Sequence, residues 1–128
     1  MRLLLDTHIW IWLISDTTRI GRQTRNVLTN PNNELWISPI STWEVASLQI
    51  RGKIRVSGDI KNWLEKATRS IKEAPLTHEI ALVAARLQMH RDPADRFLAA
   101  TAEVLDLMLV TADEKLLGLG NIRTLANR

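Results

Sequence analysis

Short apolar runs at residues 2–5, 35–37 and 107–110 each stop at a polar position and give way to a longer stretch in which apolar residues return every three or four places. The short runs read as strands and the longer stretches as amphipathic helices. Fainter strand patterns lie at 74–76 and 123–125. Parallel neighbours need helical crossovers, and strands covered on both faces become apolar throughout. The alternation therefore predicts an α/β domain with a four- or five-stranded, mainly parallel sheet flanked by helices.

The punctuation between runs sharpens the helices. Ser38-Pro39 sets a capping hydroxyl before a proline at the first helical position and opens a helix expected to run to residue 50, near Gly52. Asp59 caps a helix expected to reach residue 71, with Ile60, Trp63, Leu64, Ala67 and Ile71 on one face. Thr77 caps another, striped by Ile80, Val83, Ala84 and Leu87. Asp92-Pro93 repeats the cap-then-proline signature for a helix through residue 105. Thr111 to Glu114 reads as a capping box for a short last helix closed by Gly118 or Gly120. Neither repeats nor low-complexity segments occur, and the chain, residues 1–128, is expected to form one domain.

Composition narrows the chemistry. The absence of cysteine removes disulfides, thiolate metal sites and thiol nucleophiles, and fits a reducing cytoplasm. No apolar stretch reaches the roughly 18 residues of a membrane helix, and Asp6 interrupts the first run too early for an export signal. Seventeen Lys and Arg against 14 Asp and Glu tilt the chain toward anionic partners. The tilt concentrates in residues 51–72, where Arg51, Lys53, Arg55, Lys61, Lys66, Arg69 and Lys72 face only Asp59 and Glu65. This segment is either a track for nucleic acid or for an acidic protein tail, or an ordinary solvated face.

In open parallel sheets, ligands bind beyond the carboxyl ends of strands. Asp6 ends the first strand, Glu44 falls in the opening turns of the helix after the second, Asp95 in the first turn after Asp92-Pro93, and Asp113 just past the strand at 107–110. Singly, acids in a first helical turn are ordinary dipole partners. Four converging on one sheet edge repel unless a cation lies among them, and oxygen donors suit Mg²⁺ or Mn²⁺. Such a site polarises a phosphoryl oxygen and activates water, which points to phosphodiester hydrolysis. His8, His78 and His90 show no metal spacing, and neither a P-loop nor a nucleophile elbow is present. His8 is expected to pack or cap near the end of the first strand, and His90 to shape the loop before Asp92.

The pieces Leu4-Leu-Asp-Thr-His8, Ser41-Thr-Trp-Glu-Val-Ala46, His90-Arg-Asp-Pro-Ala-Asp-Arg96 and Leu109-Val-Thr-Ala-Asp113, in this order, resemble the four acidic motifs of PIN domains, and more narrowly VapC-type toxins of type II toxin-antitoxin systems. The resemblance implies a three-layer α/β/α fold and a Mg²⁺- or Mn²⁺-dependent endoribonuclease. It implies Asp6, Glu44 and Asp95 as central acids and Asp113 as the fourth, with Asp6 and Asp95 as direct metal ligands and Glu44 and Asp113 as further ligands, direct or through water, or as residues that orient water. Thr7 and Thr111 resemble the accompanying hydroxyl residues and Asp92 the structural acid, while Arg96 is expected to pair with an acid or with substrate phosphate. It further implies an RNA substrate, a cognate antitoxin and a homodimer. The expected cleavage leaves 5′-phosphate and 3′-hydroxyl ends.

Two other functions fit the same residues. One is a PIN-type nuclease of housekeeping RNA processing, which gene neighbourhood separates from a toxin. The other is a non-catalytic module that docks a partner through an acidic metal pocket. Five tryptophans with no tyrosine complete the pattern. Trp10 and Trp12 cannot share a helix face, so one of them is expected to meet a partner. Trp43, beside Glu44, is expected to be buried, with base stacking as the alternative.

Overall fold

The computed structural model describes residues 1–87 and 92–128. Its strands are β1 (Arg2–Leu5), β2 (Glu34–Ile37), β3 (Lys72–Glu73), β4 (Met108–Thr111) and β5 (Thr124–Ala126). They form one sheet in the order β3-β2-β1-β4-β5, parallel at every pairing. Among the described residues the helices are α1 (Thr7–Ser15), α2 (Arg22–Thr29), α3 (Pro39–Ile50), α4 (Ile60–Ala67), α5 (His78–Arg86), α6 (Pro93–Leu105) and α7 (Glu114–Leu117).

The apolar run of β1 explains its central place. Leu3, Leu4 and Leu5 are all fully buried because helices cover both faces of the sheet. Successive side chains alternate across it. Leu3, Leu5 and Val110 share one core with Ile9 and Trp10 of α1, Leu28 of α2, Val45 of α3 and Ala67 of α4. Leu4 and Leu109 meet Leu98, Ala99 and Ala102 of α6 and Leu116 of α7 on the other face. α5 rides on the outside of α6 through Ile80, Ala84 and Ala100. The result is three layers, helices on sheet on helices.

The chain winds from β1 through β2 to β3 on one side, then crosses to place β4 and β5 on the other. The reversal lies between β1 and β4, and a crevice opens there beyond the strand ends, where doubly wound sheets bind ligands.

Several boundaries differ from the sequence reading. The strand expected at 74–76 lies at Lys72–Glu73 instead. Pairing reaches Ala74, whose N–H donates to Ile37 O at 2.8 Å, and Pro75, lacking an N–H, cannot continue it. Both residues of β3 are exposed on an edge strand, so no apolar pattern marked them. α4 ends at Ala67 rather than near residue 71, because the Thr68 hydroxyl turns back onto Leu64 O at 2.8 Å and Ser70 takes a φ of 67°. Thr111 is not the cap of the last helix. Asp113 caps α7 by accepting from Lys115 N at 2.9 Å, while Thr111 belongs to β4. The sequence reading also left out α2 and a 3-10 turn at Thr17–Arg19. Gly21, ahead of α2, is required by close approach, since a Cβ there would lie 1.8 Å from the carbonyl carbon of Arg128. His90, expected to shape the loop before Asp92, lies outside the described residues.

Candidate active site

Asp6 stands at the point of reversal. Its N–H still pairs with Val110 O at 3.0 Å, and its side chain caps α1 by accepting from Thr7 N at 2.7 Å through Oδ1. The other oxygen, Oδ2, accepts from Thr111 Oγ1 at 2.7 Å. Only 8% of the residue is exposed. Burial raises its pKa above the ordinary carboxylate value, the bonds from Thr111 and Thr7 and the nearby His8 oppose the rise, and the charge of Asp113 adds to it.

Thr7 joins Asp6 to α3. Its Oγ1 donates to Glu44 Oε1 and lies 2.8 Å from Ser41 Oγ. A hydroxyl has one proton, so with the carboxylate taking it Ser41 is the donor to Thr7. Glu44 projects from the second turn of α3, a helix opened by Ser38 Oγ accepting from Ile40 N at 3.1 Å and by Pro39. Burial pushes the Glu44 carboxyl up to about 7, with Asp6, Asp92 and Asp95 pushing the same way and the Thr7 bond resisting. The fold sets Glu44 within electrostatic reach of both Asp6 and Asp95.

α6 supplies the rest. Asp92 is its N-cap, accepting from Ala94 N at 3.0 Å, as the sequence led us to expect. Asp95 follows in the first turn and is 9% exposed. Asp113 lies at the margin, half-buried, with one oxygen engaged in capping α7. Arg96 lines a groove of about 290 Å³ with Ala81, Pro93 and Phe97, and its Nε is buried with no hydrogen-bond partner among the described residues.

Ser41 is the residue that sequence reasoning missed. It is fully buried one turn before Glu44, and the (i, i+3) spacing on one helix face was the available signal. Trp43 corrects an expectation, since it is 62% exposed rather than buried. Trp10 is fully buried, donating from Nε1 to Ala67 O at 2.9 Å with its ring 5.2 Å from Trp63. Trp12 is half-buried between His8, at 5.9 Å, and Arg19, at 5.8 Å. The exposed His8 thus packs as expected, while Asp6 provides the cap.

The donors gathered here are carboxylate and hydroxyl oxygens, the chemistry of a hard divalent cation. Among the described residues no three acids or histidines enclose an ion by themselves.

A doubly wound α/β sheet whose switch point carries buried, mutually repelling carboxylates defines a class of acid-site α/β domains. Within it, the PIN domain model matches residues 3–121, and the chain belongs to the PIN domain family. Ribonuclease VapC22 of Mycobacterium tuberculosis (strain ATCC 25618 / H37Rv) is 29% identical over 115 residues, covering 88% of each chain. Among solved structures, VapBC2 from Rickettsia felis bound to a DNA fragment from their promoter matches with a TM-score of 0.74 at 19% identity, over 98% of both chains. VapBC-1 from nontypeable Haemophilus influenzae matches with a TM-score of 0.70 at 19% identity, again over 98% of both. Among the described residues no helix is long and apolar enough to cross a membrane.

Proposed function

We propose that this chain is a metal-dependent endoribonuclease acting as the toxin of a type II toxin-antitoxin pair. The observation that carries the chemistry is the crevice at the sheet reversal, where burial and the charges of Asp6 and Asp95 raise the cost of charging Glu44. A bound Mg²⁺ or Mn²⁺ supplies polarisation of a phosphoryl oxygen and a water of lowered pKa. Asp6 and Asp95 are the residues to hold it. Thr111 and Thr7 fix the carboxylate of Asp6 in one orientation. In the metal-free site Glu44, with a pKa of about 7, holds or releases a proton at Oε near neutral pH, a bound cation favours its charged form, and Asp113 orients water from the margin.

The ribonuclease and toxin roles rest on membership of the PIN domain family and on relatives named as a VapC ribonuclease and as VapBC complexes. The same reading gives the chain an RNA substrate, a cognate antitoxin, a second copy as partner, one domain and a cytoplasmic setting.

The test is cleavage of total cellular RNA by the purified chain with Mg²⁺ or Mn²⁺, beside Asp6→Asn, Asp95→Asn and excess EDTA. Discrete fragments with 5′-phosphate and 3′-hydroxyl ends, lost in both variants and in EDTA, are expected. Fragments ending in 2′,3′-cyclic phosphate would refute the mechanism, because that product requires attack by the substrate's own 2′-hydroxyl.

A further inference from the structure

Trp43 keeps 62% of its surface in solvent on the helix that supplies Glu44. α3 turns Ser41 and Val45 inward, both fully buried, and Trp43 lies two positions from each, on the far side of the helix. An indole offers about 150–250 Å² of buriable surface, so one left open on the residue next to Glu44 is a large unused contact. Ile50, 84% exposed and seven residues on, continues the same face.

Where that face ends, a run of positive charge begins. Arg51, Lys53, Arg55, Lys61, Lys66 and Arg69 are all exposed, and among the described residues none of the six forms an ion pair. Of the two acids in the segment, Asp59 has both oxygens engaged by Asn62, through N at 2.9 Å and Nδ2 at 3.1 Å. This charge is held in place. Ile54, Val56, Ile60 and Trp63 pack into the core shared with α1, and Ala67 O accepts from Trp10. Arg51 lies seven residues beyond Glu44, roughly 10 Å along the helix axis.

Resting on the ribonuclease reading, we propose that Trp43 stacks on an unpaired base flanking the cleaved phosphodiester, while the adjoining RNA backbone runs over the cations of residues 51–69. A single strand presents both elements at once, a base face for the ring and phosphates for the cations. A duplex hides its base faces, and a protein segment of acidic residues alone would satisfy the cations but not the ring. The surface therefore selects single-stranded RNA.

The experiment measures binding of a fluorescently labelled, mixed-sequence single-stranded RNA and of its duplex, in EDTA so that cleavage does not intervene. Trp43→Ala is expected to weaken single-strand binding about tenfold, the size of one base stacked on an aromatic ring, and to leave duplex binding unmoved. Trp43→Phe, which keeps a ring face, restores most of the loss. Lys61→Glu with Lys66→Glu lowers affinity for both forms and flattens the salt dependence by about 0.7 per lost phosphate contact. Wild-type protein that cleaves RNA while Trp43→Ala binds single strands equally well overturns the proposal and leaves the nuclease reading intact. Protein that neither binds nor cleaves RNA removes both. Loss of affinity confined to a protein partner, with RNA binding unchanged, assigns the face to that partner and also overturns the proposal.

Discussion

Thr111 Oγ1 donates a 2.7 Å hydrogen bond to Asp6 Oδ2, joining residues 105 positions apart at the ends of adjacent parallel strands. The bond favours the charged carboxylate and fixes its orientation, since Oδ1 is already held by Thr7 N. Thr111→Val keeps the shape and removes the donor. Cleavage and Mg²⁺ affinity are expected to fall about 10- to 100-fold, as when partners that orient metal ligands are lost, while Thr111→Ser retains most of both. Mg²⁺ titration of the cleavage rate reads the effect, and wild-type behaviour in Thr111→Val would show that Asp6 needs no such support.

Glu44 makes the metal-free protein sensitive to pH. Its carboxyl titrates near 7 in the fold against an ordinary value of 4.5. Between those values the folded chain keeps a proton that the unfolded chain has lost, so this group costs nothing below pH 4.5 and its penalty grows until about pH 7. Because Glu44 is only half-buried, the penalty is about 1–2 kcal/mol rather than the full value of the shift. Urea unfolding in EDTA across this range should show stability falling as pH rises, and Glu44→Gln should remove that part of the slope. Parallel slopes for the two proteins would contradict the assignment.

A cation that binds only the folded chain raises its melting temperature in proportion to the logarithm of its concentration. Mg²⁺ should therefore stabilise the wild type, and most strongly above pH 7, where Glu44 has lost its proton. Asp6→Asn removes one buried charge and one oxygen donor. It is expected to abolish the Mg²⁺ response without lowering stability in EDTA, and calorimetry of both proteins with and without the ion decides the matter.

Gly21 tests packing at the far edge of the sheet. Its N–H donates to Asn127 Oδ1 at 2.9 Å, Thr24 N donates to Arg128 O at 2.9 Å, and Arg128 N returns a bond to Thr24 Oγ1 at 2.8 Å. A methyl group at Gly21 would collide with the Arg128 backbone and break this clasp. Gly21→Ala should cost about 1–3 kcal/mol in urea unfolding, the usual price of overpacking. A variant as stable as the wild type would mean that residues 127–128 move aside freely.

The parts of the fold legible in the sequence were those with strong local signals. The run Leu3-Leu4-Leu5 marked the central strand because burial on both faces leaves no polar position. Ser38-Pro39 and Asp92-Pro93 marked the starts of α3 and α6 because cap and proline act locally. β3 was misplaced because an exposed edge of two charged residues carries no periodicity. α2 was left out, opening on Gly21 with no capping side chain and few apolar positions.

At the site, the acids were readable by type and by position after strands, and the structure brings Asp6, Glu44 and Asp95 to one crevice with Asp113 at its margin. Ser41 and Trp43 were not readable in the same way. Which way each points depends on the side from which α1 and the sheet meet α3, a tertiary fact. Once Val45 is known to face inward, the helical repeat turns Ser41 toward Thr7 and Trp43 toward water.

Because β4 is inserted beside β1 rather than after β3, the crevice is a late product of synthesis. A growing chain that has reached residue 105 already carries Asp6, Glu44 and Asp95, yet it lacks the strand that lines one wall and the hydroxyl that orients Asp6. Until that strand docks, those acids belong to a half-sheet with an open edge. The order of the strands thus leaves the acidic crevice without one wall until β4 has been made and has paired with β1.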